Sequence, residues 1–338
     1  MKAARFHASG GPEVLSFEDA PDPRLRDGEA LVRVEACGVN RLDVWLRSGR
    51  YKTYTPHVLG TDVAGVVEKA PAGSPVGEGG KTLVYPVISD GSCPRCLSGR
   101  PNTCPNMGLL GAVADGGYAE YVGVPAANLL PLEGMDAPAA AALPVNFGTA
   151  WNALVSKARV SPEDTLLVWG AAGGVGHAAV QIARLFGATV IAAARGKERT
   201  GKLGGLGADH AVDYSVRDPV GAVMDVTGGA GATMVFDHVG SETWGKSIDS
   251  LANGGKLLAL GTTTGADVRV DIGKVYRKEL TIQGVYGMTR KDLLAVMAQA
   301  RRGRLRPAVH MELPLASAAD AHRMLESREV FGKLVLRP

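Results

Sequence analysis

The sequence predicts an α/β protein, with a doubly wound parallel sheet and a second, β-rich domain. Three observations predict it. The 338 residues exceed the usual size of a single core, so two domains are expected. From about residue 146 short apolar runs alternate with helical stretches, as in a parallel sheet covered on both faces. Before that point the runs EALVRVEAC, DVAGVVEKA, KTLVYPVI and YAEYVGVP are β-type and are cut by Gly and Pro.

The elements run in order along the chain. TLLVWG (165–170) is a continuous apolar run, as expected of a strand buried on both faces. A small-residue helix follows through Phe186, then TVIAAA (189–194), a polar helix, AVDY (211–214), MVFDHV (234–239) and KLLALG (256–261). After Gly284 the texture shifts to a helix, DLLAVMAQARR, a strand-like AVHMELPL, a helix around 317–326 and a closing KLVLRP. This tail is read as returning to the first domain, which divides the chain into 1–145 with 286–338, and 146–285. The long apolar region from Leu166 to Ala194 is broken by Gln181, Arg184 and a glycine run, which fits a buried strand-helix-strand better than a membrane span.

Composition excludes some partners. With 37 basic and 34 acidic residues the net charge is +3, too mild to call for nucleic acid or a membrane surface. The N-terminus MKAARFHASGG lacks an apolar signal core, and the chain has only four cysteines. A reducing cytoplasm is therefore expected.

The strand TLLVWG runs into AAGGVG (171–176), which opens a helix. Ala171, Gly173 and Gly176 take the three glycine roles of the dinucleotide fingerprint, and Ala172, Gly174 and Val175 complete the loop. The free N–H groups and positive end of the helix suit a pyrophosphate. At the end of the next strand an NAD enzyme usually places an acid for the ribose 2′-hydroxyl. Here Ala194 holds that position, and Arg195, Lys197 and Arg199 follow. The missing carboxylate and the cations predict NADP(H). The alternative is a solvated basic helix start.

DGSCPRCLSGRPNTC (90–104) holds Cys93, Cys96 and Cys104. The C-x-x-C spacing suggests zinc, yet a structural zinc wants four protein ligands.

The segments GVNRLDVWLRSG, PHVLGTDVAGVV, the cysteine cluster, GGYAEYV, AALPVNFGTAWNAL, AAGGVG, LGADHAVDY and FGKLVLRP occur in one order from end to end. In them the whole chain resembles the medium-chain dehydrogenase/reductase superfamily, which includes zinc alcohol dehydrogenases and quinone oxidoreductases. The resemblance implies a GroES-like catalytic domain formed by the two ends of the chain, around a Rossmann nucleotide-binding domain. The family's zinc lobe reads C-x-x-C-x-x-C-x7-C, and in that register Asp90 takes the first cysteine's place. The implied set is Asp90, Cys93, Cys96 and Cys104, with Arg95 and Arg100 offsetting its charge; a lobe without metal, or a disulfide, are the alternatives.

The same register empties the family's catalytic zinc site. Asn40 stands for its cysteine, Thr61 and Asp62 for its His-Glu pair, and Val145 for its late ligand, which leaves Asp62 as the one residue there able to bind a metal. A rearranged site using Cys37 and His57 is an alternative. The pattern resembles the quinone oxidoreductase branch, which works without catalytic zinc. By resemblance Thr149 and Val175 pack on the nicotinamide and Arg199 and Tyr214 reach the adenosine ribose phosphate; Gly240, Gly261 and Val285 sit at the ends of later strands, where open α/β sheets bind ligands, and Lys333 completes the cofactor set. Asn40, Thr61, Asp62, Asn146 and Tyr51 or Tyr54 are candidates for the substrate end, in the cleft between domains. Asn40 could donate to a developing oxyanion and either tyrosine could supply a proton; the competing readings are a satisfied turn residue and a loop packing its rings.

Without a Lewis acid, substrates that accept hydride readily are favoured: quinones, enones and activated carbonyls. The leading reading is an NADP(H)-dependent oxidoreductase of this kind with one structural zinc. An alcohol dehydrogenase with a rearranged or zinc-free site, and an NADPH-binding protein without turnover, remain the alternatives. The resemblance implies a homodimer or homotetramer, for which the strand KELTIQGV offers an edge.

Overall fold

The computed structural model describes residues 1–338. It forms two units, Met1–Val145 with Met288–Pro338, and Asn146–Gly287.

In the first unit seven strands form one sheet. Its order is Leu129–Pro131, Lys81–Val84, Asp62–Lys69, Glu29–Gly38, Lys333–Arg337 and Val309–Pro314, with Tyr121–Pro125 also pairing Glu29–Gly38. Glu29–Gly38 alternates buried and half-buried residues, as a strand with one face on a core should. Its far end brings distant parts of the chain together. Gly38 pairs with Asp62 on one side. On the other side the antiparallel register matches Gly38 with Val335 and Cys37 with Leu336. Continued by two residues, that register sets Lys333 opposite Asn40. The closing segment KLVLRP therefore completes the sheet of the N-terminal part of the chain.

A smaller antiparallel sheet joins Ser16–Asp19, Lys2–Phe6 and His57–Val58. The apolar core packs Phe6, Val32, Val63, Tyr118, Leu129, Leu334 and Leu336 together with Leu315, Ala318 and Ala321 from the C-terminal part. The C-terminal helix Ala318–Glu326 turns the buried Ala318, Ala321 and His322 inward.

In the second unit six parallel strands lie in the order His210–Asp213, Thr189–Ala194, Thr165–Val168, Ala232–Asp237, Leu251–Ala259, Thr281–Gly284. The first strand of the unit thus sits in the middle and the order reverses there, as in a doubly wound Rossmann sheet. The helix Gly174–Leu185 links Thr165–Val168 to its neighbour Thr189–Ala194, and its N-terminus follows the end of Thr165–Val168. Thr281–Gly284 is an edge strand. Around it Ile272, Tyr276, Ile282 and Tyr286 are exposed. The segments Pro144–Gly148 and Asn152–Lys157, in and just beyond the run ALPVNFGTAWNAL, wind as π-helix, a form frequent at functional sites. No helix is long and apolar enough to cross a membrane.

Candidate functional site

Positions 40, 62, 145 and 333 meet at one point of the first unit. Asn40 Nδ2 donates to Asp62 Oδ2 at 3.0 Å. Lys333 Nζ donates to Asn40 Oδ1 at 2.5 Å and to Asp62 Oδ2 at 2.8 Å. The Val145 amide donates to Asp62 Oδ1 at 3.1 Å. Asp62 is fully buried and Lys333 is 2% exposed. Two opposite charges are stable so far from water only because each finds the other and a hydrogen-bonded amide. Gly38 makes the room. A Cβ there would lie 2.6 Å from Lys333 Cε and 2.4 Å from the Ala141 carbonyl.

The positions expected to replace a catalytic zinc site therefore assemble around an ammonium group. Their donor set does not fit zinc. It offers one carboxylate, whose two oxygens accept three hydrogen bonds, one of them from a cation. Thr61 is fully buried, and its hydroxyl has no protein partner. The rearranged set does not gather either. His57 Nε2 faces the Gly111 carbonyl at 3.0 Å and its Nδ1 faces Asp115 at 3.2 Å. Burial, reinforced by Asp43 and Asp62, pushes the Cys37 thiol well up, so it stays protonated. Lys333, expected among the cofactor residues, is tied by its Nζ to Asn40 and Asp62.

Behind Asn40 runs a second buried network, for which the sequence carried no signal. Asp43 Oδ2 accepts the Asn40 amide at 2.7 Å, one half of the capping box of helix Arg41–Arg47. The same oxygen accepts the Tyr118 hydroxyl at 3.1 Å, and Tyr118 meets His322 Nε2 at 3.2 Å. Arg47 Nη1 donates to His322 Nδ1 at 3.4 Å and its guanidinium grips Glu326 at 2.6 Å. Asp43, Tyr118 and His322 are fully buried. Burial first, then Arg47, pulls His322 down to about 3, so its ring is neutral. Burial raises Asp43 to about 6, against the pull of the Asn40 amide, Lys333 and Tyr118. Asp43 lies in the motif GVNRLD and Tyr118 in GGYAEYV, but nothing in either motif says that they touch.

The two candidate tyrosines lie on an exposed loop. Tyr54 donates to Asp115 at 3.1 Å, and burial followed by the Asp115 charge holds its phenol above the ordinary range. Tyr51 sets its ring edge-on to Trp45, with centroids 5.6 Å apart.

In the second unit the glycine loop has the geometry that a dinucleotide needs. The left-handed turn falls on Gly170 (φ 60°), which leaves Ala171 free to be alanine. Gly173 is the N-cap of helix Gly174–Leu185 and carries no side chain over its end. A Cβ on Gly176 would lie 2.3 Å from the Gly170 carbonyl, so only glycine lets helix and strand approach this closely. Ala172 is buried, and Val175 is half-buried on the first turn. Asn146 lays its carboxamide on Gly174, where a Cβ would meet it at 2.7 Å, and its Nδ2 has no protein partner. Thr149 is buried nearby in sequence on its own short helix. Gly240 (φ 103°) and Gly261 end successive strands, and added Cβ atoms would strike the Gly265 and His238 carbonyls. Val285 is buried one residue beyond the last strand.

At the end of strand Thr189–Ala194, Arg195 and Lys197 are exposed and Arg199 is half-buried. Asp213, paired with Ala194 on the neighbouring strand, is the nearby carboxylate. Its Oδ1 accepts the Ser215 hydroxyl at 2.5 Å and the Gly196 and Ser215 amides at 2.9 and 3.0 Å, which together hold it below the usual carboxylate range. Tyr214 is half-exposed against Trp169, with ring centroids 6.1 Å apart.

Asp90, Cys93, Cys96 and Cys104 form the chain's one gathering of three or more metal-capable side chains, with ligand atoms all within 4.8 Å of one another. Tetrahedral zinc with bonds near 2.3 Å sets its thiolates roughly 3.8 Å apart, so the set fits the ion. The lobe is built locally. Cys93 caps the turn Pro94–Leu97 with its Sγ, and Pro101–Thr103 brings Cys104 back within 3.2 Å of Asp90. The Cys93 amide first, then the Cys104 thiol and the Ser92 amide, hold the Asp90 carboxyl far below its ordinary range.

Residues 26–134 match the alcohol dehydrogenase GroES-like domain and residues 174–302 the zinc-binding dehydrogenase family. The chain is 34% identical to an NAD-dependent alcohol dehydrogenase of Sulfurisphaera tokodaii, over all of both chains. A solved NAD-dependent alcohol dehydrogenase superposes with a TM-score of 0.96 at 40% identity, covering both chains completely. Escherichia coli quinone oxidoreductase complexed with NADPH does so with a TM-score of 0.85 at 27% identity, again over both chains. A Rossmann sheet with an intact glycine loop, a GroES-like unit completed by the C-terminal strand, and these full-length likenesses agree: the chain is an oxidoreductase of the medium-chain dehydrogenase/reductase superfamily.

Proposed function

We propose that this oxidoreductase is an NADP(H)-dependent reductase of quinones, enones or activated carbonyls that works without catalytic zinc. The observation that carries this reading is the Lys333 ammonium bonded to Asn40 and Asp62 where a metal would otherwise sit. A divalent ion there would have to displace a cation from its carboxylate. The bound cofactor supplies the hydride. The chain's own part is to bind, orient and stabilise charge. Asn40 and Lys333 together pair the Asp62 carboxylate, so that no unpaired negative charge opposes the one that develops on the acceptor oxygen as hydride arrives. A simple alcohol would lack the polarisation that zinc gives, whereas an activated acceptor does not need it.

Ala194 with Arg195, Lys197 and Arg199 supports NADP(H), and the nearby Asp213 carboxylate already accepts the Gly196 amide and the Ser215 hydroxyl on its Oδ1. The relatives named NAD-dependent alcohol dehydrogenases make the competing reading concrete. The lobe of Asp90, Cys93, Cys96 and Cys104 would hold one zinc, a closed four-ligand cross-link with no open position for substrate. The exposed edge Thr281–Gly284, flanked by Ile272, Tyr276 and Tyr286, supports assembly with a second copy. The test is NADPH oxidation against quinones, enones and ketones, together with metal analysis. Turnover with activated acceptors at one zinc per chain is expected. Alcohol oxidation that disappears with the removal of a second zinc would overturn the reading.

A further inference from the structure

We propose that His322 and Tyr118 are positioning residues that act through Asp43 to fix Asn40, so that the C-terminal helix sets the geometry of the reduction site. This rests on the role given to Asn40 above. The direction of every bond in the chain is forced. Arg47 can only donate, so His322 Nδ1 accepts and its Nε2 carries the hydrogen. Nε2 then donates to the Tyr118 oxygen, and the Tyr118 hydroxyl is left to donate to Asp43. Asp43 ends the series on the Asn40 amide. Buried polar groups in a core are costly unless paired, and in this series all but Asp43 Oδ1 find a partner. Their pairing converges on the residue whose carboxamide bonds Lys333 and Asp62.

The groups facing Asp43 are the Cys37 thiol from strand Glu29–Gly38, Asp62 from the adjoining strand, Lys333 from the closing strand, and Tyr118. Burial, with the Asp62 charge beside it, raises the Asp43 midpoint to about 6 against the pull of the Asn40 amide and Lys333, so Asp43 takes up a proton as pH falls through that range. A protonated Asp43 holds the Asn40 amide less firmly.

The experiment follows the Asn40 amide by selectively labelled NMR across pH, beside the pH profile of kcat. In the unmodified chain both should show a transition near 6. Tyr118→Phe removes one donor to Asp43 and should move both transitions upward by up to about one unit, with KM unchanged. His322→Leu should do the same, and His322→Gln, which can accept from Arg47 and donate to Tyr118, should restore them. Should His322→Leu fail to fold, Tyr118→Phe alone carries the test. An Asn40 transition that stays in place in Tyr118→Phe would overturn the proposal. The NMR arm needs no turnover, so an enzyme inactive on every acceptor would refute the functional reading while leaving this one open to judgement.

Discussion

Replacing Lys333 by methionine keeps most of the side-chain volume and removes the charge. It leaves the Asp62 carboxylate fully buried, with Asn40 Nδ2 and the Val145 N–H as its only donors. Losing one partner of a buried ion pair costs about 3–5 kcal/mol, because the remaining charge is uncompensated. In a unit of roughly 150–250 residues each kcal/mol moves the melting point about 2–4 °C, so a fall on the order of 10 °C is expected. The control is the double variant Lys333→Met with Asp62→Asn, which buries no charge and should regain much of the loss. A coupling of about 2 kcal/mol or more in the double-mutant cycle, read by calorimetry, is the expected outcome. If Lys333→Met costs less than about 1 kcal/mol, the value of an exposed pair, then the ammonium does not neutralise this site and the reasoning fails.

Arg199→Ala or Arg195→Ala should lower kcat/KM for NADPH by about 10- to 100-fold, the worth of one charge-assisted contact, and leave NADH almost untouched; an equal fall with both cofactors would place these cations elsewhere. Asp90→Ala should reduce zinc from one per chain and lower the melting point while the folded fraction keeps its kcat, as metal analysis beside kinetics would show; lost turnover at full zinc would contradict a purely structural lobe. Stability should respond to pH through two opposed groups. Asp43, raised to about 6, contributes stability that is present below its unfolded value near 3.8 and lost as pH rises through 6, about 3 kcal/mol in all. His322, lowered to about 3 from 6.5, contributes stability present above 6.5 and lost as pH falls toward 3, about 5 kcal/mol. Between pH 6.5 and 4.5 the two nearly cancel, so Asp43→Asn should expose an acid-side loss of about 2 kcal/mol relative to the unmodified chain in denaturant titrations. Parallel pH curves for the two proteins would show that these groups do not titrate as a buried pair of opposites.

The features legible in the sequence are those built from neighbours along the chain. The zinc-capable lobe spans residues 90–104, and turns capped by Cys93 and aided by Gly91 and Gly99 bring its four side chains together. The glycine loop is equally local: the strand, the turn at Gly170 and the helix opening at Gly174 follow one another within a dozen residues. Even there the fingerprint fixes spacing and cannot say which residue has positive φ, which proves to be Gly170, one residue before the motif. Lys333 was out of reach for a different reason. Its partners are 271 and 293 residues away, and nothing in FGKLVLRP distinguishes an inward lysine from one that rims a cofactor. His322 was hidden by its helix, where a polar residue between Ala321 and Arg323 reads as solvent-facing until packing shows otherwise.

The placement of Lys333 is a matter of register. Side chains on a strand alternate between faces, so a shift of one residue in the pairing of Lys333–Arg337 with Glu29–Gly38 would carry the ammonium to the opposite face of the sheet. The register is held by the Val39 amide on the Leu334 carbonyl at 2.9 Å and by the buried Leu334 and Leu336 in the core. The same strand thus closes the sheet and delivers the charge. The close approach at Gly38 fits this account: an alanine there would press on Lys333 Cε from one side and on the Ala141 carbonyl from the other, and so disturb strand pairing and site together. Here the cation belongs to the chain, and the sheet that positions it must form before the site exists.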